Sequence, residues 1–390
     1  MSLYEKMRSV LEDNKSRAQY RTIVCKAQSG SMIVADNKEY VNLSSNDYLG
    51  LGSDLSVAEE FLASQDRRSL RMSSSGSPLL TGAHLAYGKA QEAMEKLMGK
   101  KALFYNSGFA ANSGVISALS FADTLIVADK LSHASIIDGM MGASGKCLRF
   151  AHNDYEHLLS ILEKNHKLYD SVIVVTEAVF SMDGDCCDIL RLCEIKQKYE
   201  NVYLYVDEAH SFTVFGHNGA GLCAQKGCLD KVDFVLTTFG KGLGSQGACI
   251  LCNETARDYL INTSRSLIFS TALSPFAFEH AAFMIEYMQH QQNRRERLER
   301  IGAYIHEKLA ECGFEDLSSS QIIPVLTYDN QKAMQACEFF RSKGFYAMPI
   351  RHPTVPKRKS RLRLSLSAFL TDIQVERLGQ TIEEFAKSNS

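Results

Sequence analysis

The sequence predicts an α/β protein with a mainly parallel central sheet, helices on both faces, and a smaller α+β part at the C-terminal end. Two observations carry this. Short apolar runs recur at Ala102–Tyr105, Thr124–Ala128, Val172–Thr176, Val202–Val206, Phe234–Thr237 and Ala248–Leu251. Between them lie segments of helical length and pattern, such as Tyr155–Lys167 and Leu190–Tyr199. Strands that are apolar throughout suit a parallel sheet covered on both faces, and the intervening helices suit crossover connections. In such sheets ligands gather beyond the carboxyl ends of the strands.

In chain order, Leu3, Met7, Val10 and Leu11 have helical spacing and open the chain with an amphipathic helix. Short strands follow at Met32–Ala35 and Tyr40–Leu43, then a polar turn, Ser44–Gly50, leads into new structure. The alternating apolar runs occupy the middle. From about Ser274 a helical stretch, Ala277–Met288, runs into the charged and also helical Gln291–Arg300, with shorter α and β pieces beyond. The expected division is 1–45 as an N-terminal helix and strands, 46–275 as the large α/β domain, and 276–390 as a connecting helix and α+β domain.

A length of 390 residues allows two domains, and 45% hydrophobic with 23% charged residues is ordinary for a globular chain. A formal net charge of −2 gives no reason to expect nucleic acid or an anionic membrane as partner. Positions 1–20 lack the apolar core of a signal peptide, and no apolar run is long enough to span a bilayer. The eleven cysteines are odd in number and irregularly spaced. Cys249 and Cys252 form a C-x-x-C, but inside an apolar run that predicts a buried strand, and no second pair completes a zinc spacing. The expectation is a reduced cytoplasmic protein without a metal site.

The chemistry centres on Lys241, in Thr238-Phe239-Gly240-Lys241-Gly242-Leu243-Gly244. Neither flanking glycine projects a side chain, so a ligand can approach closely. Lysine is the usual anchor for pyridoxal phosphate. Asp207 ends the run Val202–Val206, and His210 follows three residues later. A carboxylate at that strand end can keep the cofactor's ring nitrogen protonated, the condition for it to draw electrons from a carbanion. His133, after Thr124–Ala128, is placed to stack on the ring, and Ser181 and His210 are candidates for its phenolic oxygen. Asn106–Asn112, which includes Phe109, follows a strand and opens a helix whose free amides suit a phosphate, Gly108 permitting close approach, with Thr238 and the hydroxyl pair Ser270-Thr271 as further contacts. Arg361 and Arg363 alternate with leucine and share one strand face. Either guanidinium matches an amino-acid carboxylate.

With these residues in view, the chain resembles the α-oxoamine synthases, a branch of the aspartate-aminotransferase-like, fold type I pyridoxal enzymes, over nearly its full length. The resemblance is carried by Ser44–Gly50 (SSNDYLG), Leu131–Ser135 (LSHAS), Ala151–Asp154 (AHND), Thr176–Gly184 (TEAVFSMDG), Val206–His210 (VDEAH), Thr238–Gly247 (TFGKGLGSQG) and His352–Pro356 (HPTVP) leading to Arg361–Arg363. It implies that Lys241 carries the cofactor and serves as base, Asp207 pairs with its ring nitrogen and His133 stacks on it. Arg21, Asn46, His133, Thr354 and Arg363 would bind substrate. AHND and the PTVP–RLRL stretch lean towards the members that join L-alanine to a pimeloyl thioester in biotin biosynthesis. Rival readings are members using glycine and acetyl-CoA or serine and a long acyl-CoA, and a non-catalytic synthase subunit. The last would lack the lysine. The resemblance also implies a homodimer whose sites lie at the subunit boundary, with Ser270-Thr271 reaching the neighbour's phosphate. One departure is Ser73-Ser74-Ser75-Gly76-Ser77-Pro78, where serines replace the family's glycines near the acyl entrance.

Overall fold

The computed structural model describes residues 1–17, 19–66, 70–352 and 354–389; Pro353 of the HPTVP motif lies outside them. The first strands are β1 (Ala27–Ser29), β2 (Met32–Ala35) and β3 (Lys38–Asn42). The middle of the chain gives β4 (Lys101–Tyr105), β5 (Thr124–Asp129), β6 (Lys146–Phe150), β7 (Ser171–Glu177), β8 (Val202–Asp207), β9 (Phe234–Thr238) and β10 (Ala248–Cys252). The last are β11 (Ile322–Tyr328), β12 (Phe345–Tyr346), β13 (Met348–Ile350) and β14 (Ser360–Ser365). Two compact units result.

The larger unit comprises 46–181 and 185–297. Its sheet has the order β4-β10-β9-β8-β7-β5-β6. Neighbours along β9-β8-β7-β5-β6 pair in parallel, and β10 runs antiparallel between β4 and β9. Every residue of β5, β9 and β10 is buried, as expected of strands covered on both faces. All six apolar runs form strands here. β6 was not foreseen: as an edge strand it keeps Lys146 and Arg149 exposed, so it lacks the continuous apolar pattern. The covering helices start on short polar caps. Asp154 caps Tyr155–Asn165, Asp188 caps Ile189–Gln197, and Ser274 with Pro275 opens Pro275–Gln289, which packs on Leu85–Met98. Cys249 and Cys252 are buried in β10 and all eleven cysteines are free.

The smaller unit draws together 1–45, 182–184 and 298–390. It holds two sheets, β1-β2-β3-β12 and β11-β14-β13, with helices Asn330–Ser342 and Asp372–Asn389. The opening helix, Leu3–Ser16, is fixed at its start by a capping box between Ser2 and Glu5, yet buries none of its residues. Helix Gln292–Glu311 runs from the larger unit into this one. Among the described residues no helix is long and apolar enough to cross a membrane.

Candidate active site

The carboxyl ends of β5, β7, β8 and β9 and the start of helix Gly108–Ala118 border a cavity of about 440 Å3 in the larger unit. Lys241, Asp207, His133, His210, Gly108, Phe109 and Thr238 all line it. Seven residues scattered through the sequence thus meet because a parallel sheet sends its strand ends to one side.

Asp207 is 4% exposed. Its Oδ1 accepts from the amide of Ala209 at 2.9 Å and its Oδ2 from Asn112 Nδ2 at 2.7 Å. Asn112 also donates to Ser135 Oγ at 2.9 Å, and its Oδ1 accepts from the Tyr205 hydroxyl at 2.7 Å. That buried amide is held by three partners and cannot flip without losing them.

His133 caps helix Ala134–Met141, its Nδ1 accepting from the Ser135 amide at 3.2 Å and standing 2.8 Å from Ser135 Oγ. With Nδ1 an acceptor, the neutral ring carries its proton on Nε2. Burial lowers the His133 pKa; Asp207 opposes this and Lys241 adds to it. Phe109 stands edge-on to the His133 ring, with centroids 6.5 Å apart.

Lys241 Nζ lies 2.9 Å from His210 Nε2, and His210 Nδ1 lies 2.5 Å from the hydroxyl of the fully buried Tyr48. That hydroxyl donates to Asn46 Oδ1 at 3.1 Å, so it accepts from His210 Nδ1–H and leaves Nε2 to accept from Lys241. Of its two flanking glycines, Gly242 is required by packing, since a Cβ there would meet Thr213 Oγ1 at 2.1 Å. A Cβ on Gly108 would likewise fall 2.5 Å from Thr238 Cγ2, so only glycine brings the helix start against that threonine.

These residues fit pyridoxal phosphate. A lysine, a carboxylate with two fixed donors, and a helix start with open amides surround a cavity bearing an imidazole on its wall. Three expected contacts, Ser181, Ser270 and Thr271, are not among the lining residues; Thr271 is held through its carbonyl, which accepts from Asn106 Nδ2 at 2.8 Å. Arg21, Thr354 and Arg363 belong to the smaller unit. There Arg21 Nη2 donates to Thr354 Oγ1 at 3.0 Å, which brings two expected substrate residues together. The two strand-mates on β14 differ sharply. Arg361 is 1% exposed, donates to the Met182 carbonyl at 2.9 Å and pairs with Asp183. Arg363 is half-buried and donates to Ser365 Oγ at 2.7 Å. In the serine-rich departure, Ser75 has φ +52, a left-handed conformation that glycine adopts at less cost.

Sequence reasoning gave no site role to Tyr48, Asn112, Ser135 and Glu177. Each lies inside or beside a motif noted for another residue. Asn112 alone carried a usable signal, being four residues after Gly108 and so on the same helix face.

The aminotransferase class I and II family matches residues 38–382. A protein of Pasteurella multocida (strain Pm70), provisionally named 8-amino-7-oxononanoate synthase, is 41% identical over 97% of this chain and 98% of its own. One of Neisseria gonorrhoeae (strain NCCP11945), with the same provisional name, is 40% identical over 94% of this chain and 97% of its own. Among solved structures, serine palmitoyltransferase of Sphingomonas wittichii superposes with a TM-score of 0.91 at 26% identity, covering 100% of this chain and 99% of the other. The 8-amino-7-oxononanoate synthase of Francisella tularensis gives a TM-score of 0.75 at 26% identity, covering 90% and 98%.

Proposed function

The chain belongs to the aminotransferase class I and II family, in its α-oxoamine synthase branch, as a pyridoxal-phosphate-dependent acyltransferase, and on that premise we propose that it condenses L-alanine with a pimeloyl thioester. The products are 8-amino-7-oxononanoate, CO2 and the free thiol, a step of biotin biosynthesis. The observation that carries this reading is the identity of about 40% with relatives named for that reaction, along nearly the whole chain. Among solved structures, a serine palmitoyltransferase and an 8-amino-7-oxononanoate synthase both stand at 26% identity, so the weight rests on those relatives.

In this reading Lys241 holds the cofactor, takes the α-proton of alanine and returns one after CO2 has left. When bound, the cofactor supplies the electron sink that makes the α-carbon acidic. Asp207 holds the proton on the ring nitrogen, and the Asn112 and Ala209 donors keep its carboxylate aimed there. His133 faces the ring with Nε2–H available to the substrate. The amides of Gly108 and Phe109, with Thr238, bind the phosphate; Ser181 and His210 serve the phenolic oxygen. Asn46, fixed by Tyr48, and Arg21, Thr354 and Arg363 bind substrate, with Arg363 on the carboxylate because Arg361 is already committed to Asp183.

We also propose a cytoplasmic homodimer. Leu3, Met7, Val10 and Leu11 leave an exposed apolar face on the first helix, and Ser270 and Thr271 border this chain's cavity without lining it, so that their hydroxyls would serve a second copy. Mixing a Lys241→Ala protein with a Ser270→Ala, Thr271→Ala protein should restore activity above either parent. A fully active monomer in sedimentation would end the shared-site idea.

The substrate test is a mass-spectrometric product screen, offering alanine, glycine and serine each with pimeloyl-CoA, acetyl-CoA and palmitoyl-CoA. A serine-using activity is the second reading, favoured by the TM-score of 0.91 to serine palmitoyltransferase. A product only from serine and the long acyl donor would replace the first reading with it.

A further inference from the structure

Glu177 is the last residue of β7 and the direct neighbour of Asp207 across the β7–β8 pairing. It is 4% exposed and lines the cavity, as Asp207 does. Two carboxyl groups at adjacent positions on neighbouring strands, both shut away from water, do not both ionise, because like charges in a poorly solvated site repel. Their donors are unequal. Asp207 receives an amide N–H on one oxygen and the Asn112 amide on the other. Glu177 receives the backbone N–H of His133, at 2.5 Å.

We propose that Glu177 is a positioning residue of the site: an uncharged carboxyl that pins the backbone of His133 and leaves Asp207 as the single negative charge on the cavity floor. Several groups act on it. Burial pushes its pKa well above the carboxylate range, and Asp207 adds to this, as does Asp129 at the end of β5. Lys241 and the His133 amide pull the other way without reversing it. The consequence for His133 is geometric. Its ring is fixed at Nδ1 by Ser135 and its main chain by Glu177, so the imidazole facing the cavity has two independent anchors. The consequence for Asp207 is electrostatic. A second charge beside it would add to the negative potential on the cavity floor.

This inference rests on the cavity being the pyridoxal phosphate site, though not on which amino acid or thioester is used. Two variants test it. Glu177→Gln keeps shape and neutrality; Glu177→Ala removes the anchor. The holoenzyme's visible absorption band is titrated with pH. An ionised neighbour moves a titrating group by about 1–3 units. Glu177→Gln should therefore move the midpoint by less than about 0.3 unit, and a shift of a unit or more would show that a charge had been lost. Glu177→Ala should slow alanine α-proton exchange by about 100-fold, the scale set by a misplaced catalytic group, and Glu177→Gln should recover most of that loss. Equal loss in both variants would overturn the proposal. Infrared difference spectra of wild type minus Glu177→Gln give a readout free of cofactor and of the alanine variant's folding. A protonated-carboxyl C=O band is expected in the wild type, and a carboxylate pair of bands in its place would also overturn the proposal. Failure of the wild type to bind pyridoxal phosphate would instead sink the functional reading.

Discussion

The ring of His152 lies between two carboxylates, whereas His133 meets its nearest carboxyl group through its backbone amide. His152 Nδ1 is 3.0 Å from Asp129 and its Nε2 is 2.8 Å from Asp185. Burial works against charge on that ring, but the hydrogen bonds and charges of the two aspartates outweigh it and push its pKa up to about 10. Around His133 burial wins, and the pKa is lowered. Both histidines follow strands of the same sheet and both sit near buried acids, so proximity to acids does not decide the outcome. What decides it is whether the ring nitrogens themselves face acceptors. One cluster holds a proton as structural cement between two turns; the other keeps an imidazole neutral and open to a ligand.

The largest effect should come from separating the two kinds of acid. Asp207→Asn should slow α-proton exchange of alanine by about a thousandfold or more, since an ion pair in a poorly solvated site is worth several kcal/mol and each ~1.4 kcal/mol is tenfold in rate. Its stability should fall by about 1–3 kcal/mol with the fold intact, because the new amide NH2 must face the Ala209 amide or Asn112 Nδ2, both donors. A variant within tenfold of wild type would remove Asp207 from the chemistry. His152→Ala should act on stability and spare the site. It leaves Asp129 and Asp185 facing each other, and breaking such a buried pair costs about 3 kcal/mol. Urea denaturation measures this, while the absorption band of bound cofactor should stay in place.

A similar contrast separates the arginines of β14. Arg361→Ala should lower stability by about 3 kcal/mol, because Asp183 loses its buried partner. Arg363→Ala should raise the alanine KM by about tenfold or more with the midpoint unchanged. The reverse ranking in steady-state kinetics would transfer the carboxylate role to Arg361.

In the pH dependence of stability the two histidines have opposite signs. His152 is raised from 6.5 to about 10 in the folded state, so its contribution is complete below about pH 6.5 and is lost as pH rises towards 10. His133 is lowered from 6.5, so its contribution is present above that pH and is lost as pH falls, when the unfolded chain takes up the proton first. Denaturation across this range should show His152→Asn flattening the alkaline limb and His133→Asn the acid limb. Identical profiles for the two variants would break the comparison.

The sheet was legible in the sequence because strands buried on both faces are unbroken apolar runs, and β6 was not because, at the sheet's edge, each of its faces carries an exposed charged residue, Lys146 or Arg149. That Lys241, Asp207, His133 and His210 line one cavity was legible because each follows the end of such a run, and a parallel sheet sends those ends to one side. Tyr48 and Glu177 were not, since their importance depends on partners brought near only by folding: His210 and His133. The two arginines show the same boundary within one strand. Their shared face follows from a period of two, but only the fold reveals that Asp183 has claimed the first.

One feature of the sheet bears on how the chain is made. Among the described residues β4 pairs only with β10, Tyr105 opposite Ala248, and β10 in turn bridges β4 to β9. Ribosomes add roughly 5–20 residues each second, so the backbone of Lys101–Tyr105 emerges on the order of ten seconds before its partner. During that interval an apolar edge, Ala102-Leu103-Phe104-Tyr105, and the phosphate-type helix start behind it have no strand to lie against. The nascent chain therefore passes through a stage at which this edge is open to other chains, and folding completes only when the one reversed strand of the sheet arrives to close it.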